Sequence, residues 1–210
     1  MASNPRITIV IPVRGNDEKN EGYDIAGASL AAQTYQDFKL VVVPDQGKGA
    51  PWARNEGFKQ CDTEFVLFSD NDISWKSHAL DTMLAVLSRT PRAAYCYGRY
   101  QIGELIVGHH FFDPARLLCG NYISTMSLLR SADFHGFDES LKKFQDWDLW
   151  LTLLLKHQKR GVYCNDLIFT TEVKPGITWK GDLTAQEGLD IINQKHKLNL
   201  PEFSQDFVKS

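Results

Sequence analysis

Three short apolar runs, each halted by a proline or an aspartate and each followed by a helical pattern, constrain this chain most. Ile7-Thr8-Ile9-Val10-Ile11 is closed by Pro12, Lys39 to Val43 by Pro44, and Phe65 to Ser69 by Asp70. Runs of that length, rich in β-branched and aromatic residues, read as strands buried on both faces. Ile25 to Gln33 is Ala-rich and periodic, Pro51 opens a helical stretch to about Gln60, and Ser77 to Leu87 carries a third. Short strands alternating with helices argue for an α/β protein with a mostly parallel sheet wrapped by helices. After Pro91 the rhythm loosens. Ala93 to Gln101 and Leu105 to Phe112 read as strands joined by Ile102-Gly103-Glu104, and Asn121 to Leu129 as another. Asp146 to His157 reads as an apolar helix, Val162 to Thr171 as one or two strands, and Ala185 to His196 as a helix in a polar tail.

Composition removes several function classes. The chain has 210 residues, 43% of them hydrophobic and 11% aromatic, enough for a real core in a single domain. A formal charge of −3 leaves no basic footprint, so a nucleic-acid partner is disfavoured. Cys61, Cys96, Cys119 and Cys164 are scattered without a C-x-x-C pair, which fits reduced thiols in the cytoplasm. Met1 to Arg6 lacks the apolar core of a signal peptide, and no apolar stretch reaches spanning length. A cytoplasmic protein without a transmembrane segment is expected, and peripheral membrane association stays open because a lipid-linked substrate is compatible with everything above.

Four clusters carry the chemistry. Asp70-Asn71-Asp72 ends the third apolar run, placing two carboxylates at the carboxyl rim of a sheet, where ligands bind in open α/β folds. Such a pair suits a hard divalent cation carrying a diphosphate, although an Asp-Asn-Asp turn or helix cap is the plain alternative. Pro12-Val13-Arg14 ends the first strand, where exposed backbone can meet a nucleotide. Neither a G-x-G-x-x-G nor a P-loop follows it, so dinucleotide and P-loop chemistry lose their usual basis. Asp45 ends the second strand, where a carboxylate can read a base, and Arg54 in the next helix can reach a diphosphate or a carboxylate. Finally, Asp146 and Asp148 open the helix at Phe144-Gln145-Asp146-Trp147-Asp148. Either can cap it, and Asp146 can instead serve as a general base while Asp148 holds the local structure.

In this order the clusters resemble family 2 glycosyltransferases of the GT-A fold. Ile7-Thr8-Ile9-Val10-Ile11-Pro12 resembles that family's opening strand, Ala53-Arg54-Asn55-Glu56-Gly57 its A-R-N-x-G segment, and Val66 to Asp72 its D-x-D strand. Gly136-Phe137-Asp138-Glu139-Ser140-Leu141, then Gln145-Asp146-Trp147-Asp148-Leu149-Trp150-Leu151, resemble its G-F-D-E-x-L and E-D-x-D-L-W-L pair. The resemblance runs from about Ile7 to Leu155. It implies a single GT-A domain, Rossmann-like, over about residues 1–180, with a nucleotide-binding half near 5–90 and an acceptor and catalytic half near 91–180. Residues 181–210 would form a helical tail. It further implies sugar transfer from a nucleotide-sugar, foremost a UDP-sugar, to a glycan, lipid-linked or protein acceptor, with inversion and with Mn2+ or Mg2+. Asp72 would bind metal, with Asp70 at the ribose or metal. Asp45 would face the base, Pro12, Val13, Arg14 and Asn71 would line the nucleotide pocket, and Arg54 would support it. Asp146 would deprotonate the acceptor hydroxyl.

The departures from the family pattern are specific. Pro44-Asp45 stands where an acidic pair is usual, Gln145 stands where a glutamate precedes the base, and the C-terminal histidine metal ligand has no clear counterpart. His196 is one candidate for it, and Thr178 or Trp179 can lie near the donor instead. Two other classes compete: a nucleotidyltransferase, which would need more of a phosphate loop than Arg14-Gly15-Asn16 supplies, and a silent nucleotide-sugar binding module, against which Asp146 argues. Specificity is expected in Ile102 to Asn121 and Lys174 to Ser210. There His109-His110-Phe111-Phe112 can line a cleft or simply flank a strand, Trp147 or Trp179 can stack on a sugar, and Trp150 belongs to the core.

Overall fold

Strand β1 (Ile7–Val13) is the element to which the rest of the sheet is registered, and all seven of its residues are buried. A computed structural model describes residues 5–15, 21–172 and 185–201. Thr178 and Trp179 lie outside the described residues. β1 pairs in parallel with β2 (Phe38–Pro44) on one side and β3 (Phe65–Phe68) on the other, with Val10 opposite both Val41 and Phe68. The other strands are β4 (Ser74–Trp75), β5 (Ala93–Ile102), β6 (Leu105–Val107), β7 (Leu128–Arg130) and β8 (Arg160–Thr171). They complete an eight-stranded sheet in the order β2-β1-β3-β7-β5-β8-β4, with β6 paired to β5. β1, β2, β3, β5 and β8 run one way, and β4, β6 and β7 run against them, giving the mostly parallel sheet that the alternation foretold.

Residue parity sorts the core into two layers. Ile7, Ile9, Ile11, Val13, Phe65 and Leu67 face one side and pack with Leu80, Met83, Leu84 and Leu87 of α3 (Ala79–Arg89) and with Leu30 of α1 (Glu21–Ala31). Val10, Val66 and Phe68 face the other side, against Ala53 of α2 (Ala50–Phe58) and Trp147 and Trp150 of α5 (Gln145–Leu151). Each fully buried large aliphatic or aromatic side chain contributes about 1.5–3 kcal/mol. Parity also explains a proline inside a central strand. The Val10 carbonyl accepts from Ser69 N and the Val13 carbonyl from Asp45 N, so even residues bond toward β3 and odd ones toward β2. Pro12 therefore lacks its N–H on the side where β3 has already ended, and β1 runs on through it.

Elsewhere the structure redraws the expected elements. The strand expected over Leu105 to Phe112 stops at Val107, because Gly108 takes a left-handed φ of 77°. Only Leu128–Arg130 of the run from Asn121 forms β7. Before it the backbone bonds to side chains, Ile123 N to Asn121 Oδ1 and Met126 N to Ser124 Oγ, local turns that compete with a ladder. Pro114–Cys119 forms a short helix, α4, capped by Asp113, whose carboxylate accepts from Ala115 N and Arg116 N. The helix expected from Asp146 to His157 widens into a π turn over Thr152–Lys156. The last helix, α6 (Ala185–His196), lays the fully buried Leu189 and Ile192 into the α5 layer. Among the described residues no helix is long and apolar enough to cross a membrane.

The closest approach of helix to sheet falls at Gly57, where a Cβ would lie 2.3 Å from Val10 Cγ1. Alanine normally gains about 1 kcal/mol over glycine inside a helix. Here the added methyl must push α2 off β1, and Gly57→Ala should lower stability by about 1–3 kcal/mol. An unfolding midpoint in urea at or above that of the unaltered chain would contradict this packing.

Candidate active site

The carboxyl ends of β1, β2 and β3 form one rim, and Asp45 ties its first two loops together. Asp45 Oδ1 accepts from Gly15 N at 2.8 Å and from Gly47 N at 3.0 Å. Pro12 and Val13 are buried and Arg14 is exposed, so on the first strand it is backbone and Arg14 that face outward. At the end of β3, the buried Ser69 hydroxyl accepts from Trp75 Nε1 at 3.0 Å and fixes where the chain leaves the strand. Asp70 and Asp72 follow at once, both partly exposed.

Arg54 converts this rim into a site. Its side chain is only 6% exposed, and Nη2 donates to Asp70 Oδ1 at 2.6 Å. Its Nη1 donates to Gln145 Oε1 at 3.3 Å, and the guanidinium lies 5.4 Å from the centre of the Phe137 ring. One planar cation thus spans the end of β3 and the start of α5, a geometry only arginine's fork provides. The next residue extends the clamp. Asn55 Oδ1 accepts from Phe137 N at 2.8 Å, and Nδ2 donates to the Phe137 carbonyl at 2.9 Å and to Glu139 Oε1 at 2.8 Å. Ala-Arg-Asn-x-Gly therefore has a part for each residue: Ala53 in the core, Arg54 on the acidic rim, Asn55 on the Gly136-Phe137 loop, Gly57 against β1.

Asp146 sits in the first turn of α5, half-buried. Burial pushes its carboxyl above the usual carboxylate range, against the Trp147 N–H at 2.8 Å, an Asn121 side-chain bond and the charge of Arg54. Asn121 Oδ1 is already taken by Ile123 N, so its amide N–H2 is the group facing Asp146. The Tyr100 hydroxyl is pushed up to about 12, first by burial and then by the Asp146 charge. Gln145 is oriented by its own bond, Nε2 to the Leu141 carbonyl at 3.0 Å, which turns Oε1 toward Arg54. A carboxylate whose proton affinity burial raises, with an amide and a guanidinium opposing that shift, stands beside a strand-end acidic rim and is equipped to accept a proton.

Several expected roles fall differently. Asp148 is 3% exposed and bonded on both oxygens, so it is structural, as its position suggested. His196 lies on Asp148, 2.8 Å away, and is no candidate for joining Asp72. Trp147 is 1% exposed and gives its Nε1 to the Leu117 carbonyl at 2.7 Å, so it cannot stack on a sugar, and Trp150 is core as expected. In the His109 to Phe112 segment His109 and Phe111 are exposed, Phe111 at 77%, and His110 and Phe112 are partly buried. Asn55 and Asn121 were not singled out. Asn55 had a signal in its motif, whereas Asn121 had none.

Among the described residues no three His, Cys, Asp or Glu side chains converge on one point. Asp72 has no hydrogen-bond or ion-pair partner among them. One or two hard carboxylates completed by phosphate oxygens is how Mg2+-type ions are commonly held, so the donor set fits such an ion carried with a diphosphate.

The rim, the acidic end of β3 and the carboxylate-bearing helix are arranged as the resemblance to the GT-A fold implies. The family model for glycosyl transferase family 2 matches residues 27–111, ending before α5. The chain is 24% identical to the Escherichia coli UDP-Glc:alpha-D-GlcNAc-diphosphoundecaprenol beta-1,3-glucosyltransferase WfgD, over 65% of this chain and 66% of that one. It superposes on Staphylococcus aureus TarS 1-349 in complex with UDP-GlcNAc with a TM-score of 0.70 at 17% identity, covering 90% of this chain and 65% of that one. The mannosyltransferase PcManGT from Pyrobaculum calidifontis in complex with GDP-Man and Mn2+ gives a TM-score of 0.60 at 14% identity, over 81% of this chain and 58% of that one. Residues 27–111 thus match the glycosyl transferase family 2 pattern, and the chain shares the GT-A fold of these solved structures. It spans about two thirds of the length of these relatives, or less.

The Arg54–Asp70 pair is buried at its cationic end only. Removing the carboxylate strands a buried charge, whereas removing the arginine leaves an aspartate that water can reach. Asp70→Asn should therefore destabilise the fold more than Arg54→Met in urea unfolding, and the reverse order would refute the burial asymmetry.

Proposed function

We propose that this chain transfers a sugar from a UDP-sugar to an acceptor hydroxyl in a single inverting displacement, with Asp146 as general base. One observation carries the reading: a half-buried carboxylate whose proton affinity is raised stands one residue beyond Gln145, and Arg54 joins Gln145 to Asp70. The rim from Pro12 to Arg14, with Asp45 and Asn71, holds the nucleotide, and Arg54 braces Asp70 beneath the diphosphate. Asp72, with Asp70 beside it, is the group that would hold a divalent cation, whose charge would offset that building on the leaving diphosphate. Asp146 takes the proton of the acceptor hydroxyl as it attacks the anomeric carbon from the face opposite the UDP, and Asn121 keeps the carboxylate aimed. One base suffices, since UDP departs without needing a proton. The UDP-GlcNAc held by TarS and the UDP-Glc in the name of WfgD favour a uridine donor. The diphosphoundecaprenol acceptor in the same name favours a lipid-linked glycan acceptor.

Asp146→Asn should abolish transfer while keeping UDP affinity within about twofold, read by product formation and calorimetry, and wild-type turnover would remove Asp146 from the mechanism. Asp72→Ala should lose the Mn2+-dependent part of UDP binding, and an unchanged titration with and without Mn2+ would remove Asp72 from the metal site. The pH dependence follows from the direction of the Asp146 shift. A carboxyl raised in the folded state takes up its proton at higher pH than an ordinary aspartate, so turnover should fall on the acid side earlier than a normal carboxylate would dictate. Its ionised form opposes folding above the usual carboxylate range, so Asp146→Asn should match or exceed the parent's thermal stability at neutral pH. A clear drop in melting temperature at neutral pH would reverse that sign.

A further inference from the structure

Helix α5 begins in a way that does not sustain itself. Its first residue is preceded by Phe144 in the left-handed region at φ 58°, and no side chain caps its N-terminus. A non-glycine residue in that region is strained, and an uncapped N-terminus leaves backbone N–H groups without a side-chain acceptor. After seven residues the helix gives way to a π turn. The turn that carries Asp146 is therefore held by its tertiary partners, and α6 supplies three of them. Gly188 presses on Phe144 so closely that a Cβ would lie 2.9 Å from its ring. Lys195 Nζ donates to Asp148 Oδ2 at 2.9 Å and to Asp138 Oδ2 at 2.5 Å, and His196 Nε2 meets Asp148 Oδ1 at 2.8 Å. Asp148 is 3% exposed, so both of its oxygens are satisfied by two adjacent residues at the end of one helix. Lys195 also ties α5 to the loop that Asn55 clamps, because Asp138 follows Phe137. The charge pattern suits the join: Lys195 and His196 stand at the C-terminal end of α6, and Asp148 near the N-terminal end of α5, each complementing its helix dipole.

We propose that Lys195 and His196, acting through Asp148, are positioning residues for Asp146, so that α6 belongs to the frame of the active site. This rests on the reading of Asp146 as the base. Neither residue touches the substrates; they fix the helical turn two residues away from the carboxylate. Losing the pair frees the first turn of α5 while the nucleotide rim keeps its β1, β2 and β3 pairing and the Arg54–Asp70 ion pair.

The test compares the full chain carrying Lys195→Ala with His196→Ala against Lys195→Arg with His196→Gln, which keeps a donor at each position. In the alanine pair, amide hydrogen exchange at residues 145–148 should accelerate at least tenfold while exchange in β1 to β3 and UDP affinity stay within twofold. Turnover of UDP-sugar should fall at least tenfold in kcat with donor KM within twofold, and the conservative pair should restore both readings. Because the pair acts through the base, adding the alanines to Asp146→Asn should change its residual rate no further. Unchanged exchange at 145–148, additive losses in that cycle, or a loss of UDP affinity in step with turnover would overturn the proposal. Wild-type turnover in Asp146→Asn alone would instead overturn the base assignment, and the exchange result would stand apart from it.

Discussion

A buried guanidinium with one charged and one neutral partner is the constraint on which the site depends. Arg54 has little exposure, so it cannot be left without a counter-charge, and Asp70 is the carboxylate in reach. That requirement fixes where β3 must end and which way the chain turns after Ser69. The second arm of the fork reaches Gln145, and so decides where α5 starts. The end of β3 and the start of α5, far apart in sequence, are brought into register by one side chain. Among the described residues its buried Nε has no partner, which is tolerable because the two Nη groups already carry the charge-assisted bonds.

The division of labour between the halves follows from the sheet. The parallel strands β2-β1-β3 bring three loops to one rim, the topological switch where α/β folds bind ligands. The antiparallel β7 then turns the sheet toward the half built on β5 and β8 and delivers the chain to the Phe137 loop and α5. The acidic rim and the Asp146 carboxylate are thus built on different parts of the sheet, and Arg54 and Asn55, neighbours on one helix, hold the two together.

Much of this was legible because the same pattern served two purposes. β1, β2 and β3 are buried on both faces, so their sequence is continuous and apolar, and the polar residues that stop them are the site residues themselves. Legibility failed where the backbone is satisfied by side chains rather than by a ladder. From Asn121 to Ser127 a β-rich composition forms turns through Asn121 and Ser124, so most of the expected strand is absent and Asn121's bond to Asp146 had no local signature. The same holds for α6. Its periodicity announced a helix, but nothing in Lys195-His196 said that a carboxylate 47 residues upstream would receive both. His196 read as a metal ligand by its place in the chain, and long-range packing gave it to Asp148.

The tether at Asp45 bears on timing. Because one oxygen of that carboxylate binds the amides of both Gly15 and Gly47, the chain just beyond β1 and just beyond β2 is fastened together. On the proposed reading, a nucleotide would meet the tethered strand ends already held together. Encounter there would then be governed by diffusion and charge, and any slower rearrangement would fall to the opposite wall, where an uncapped helix is kept in place by its neighbours.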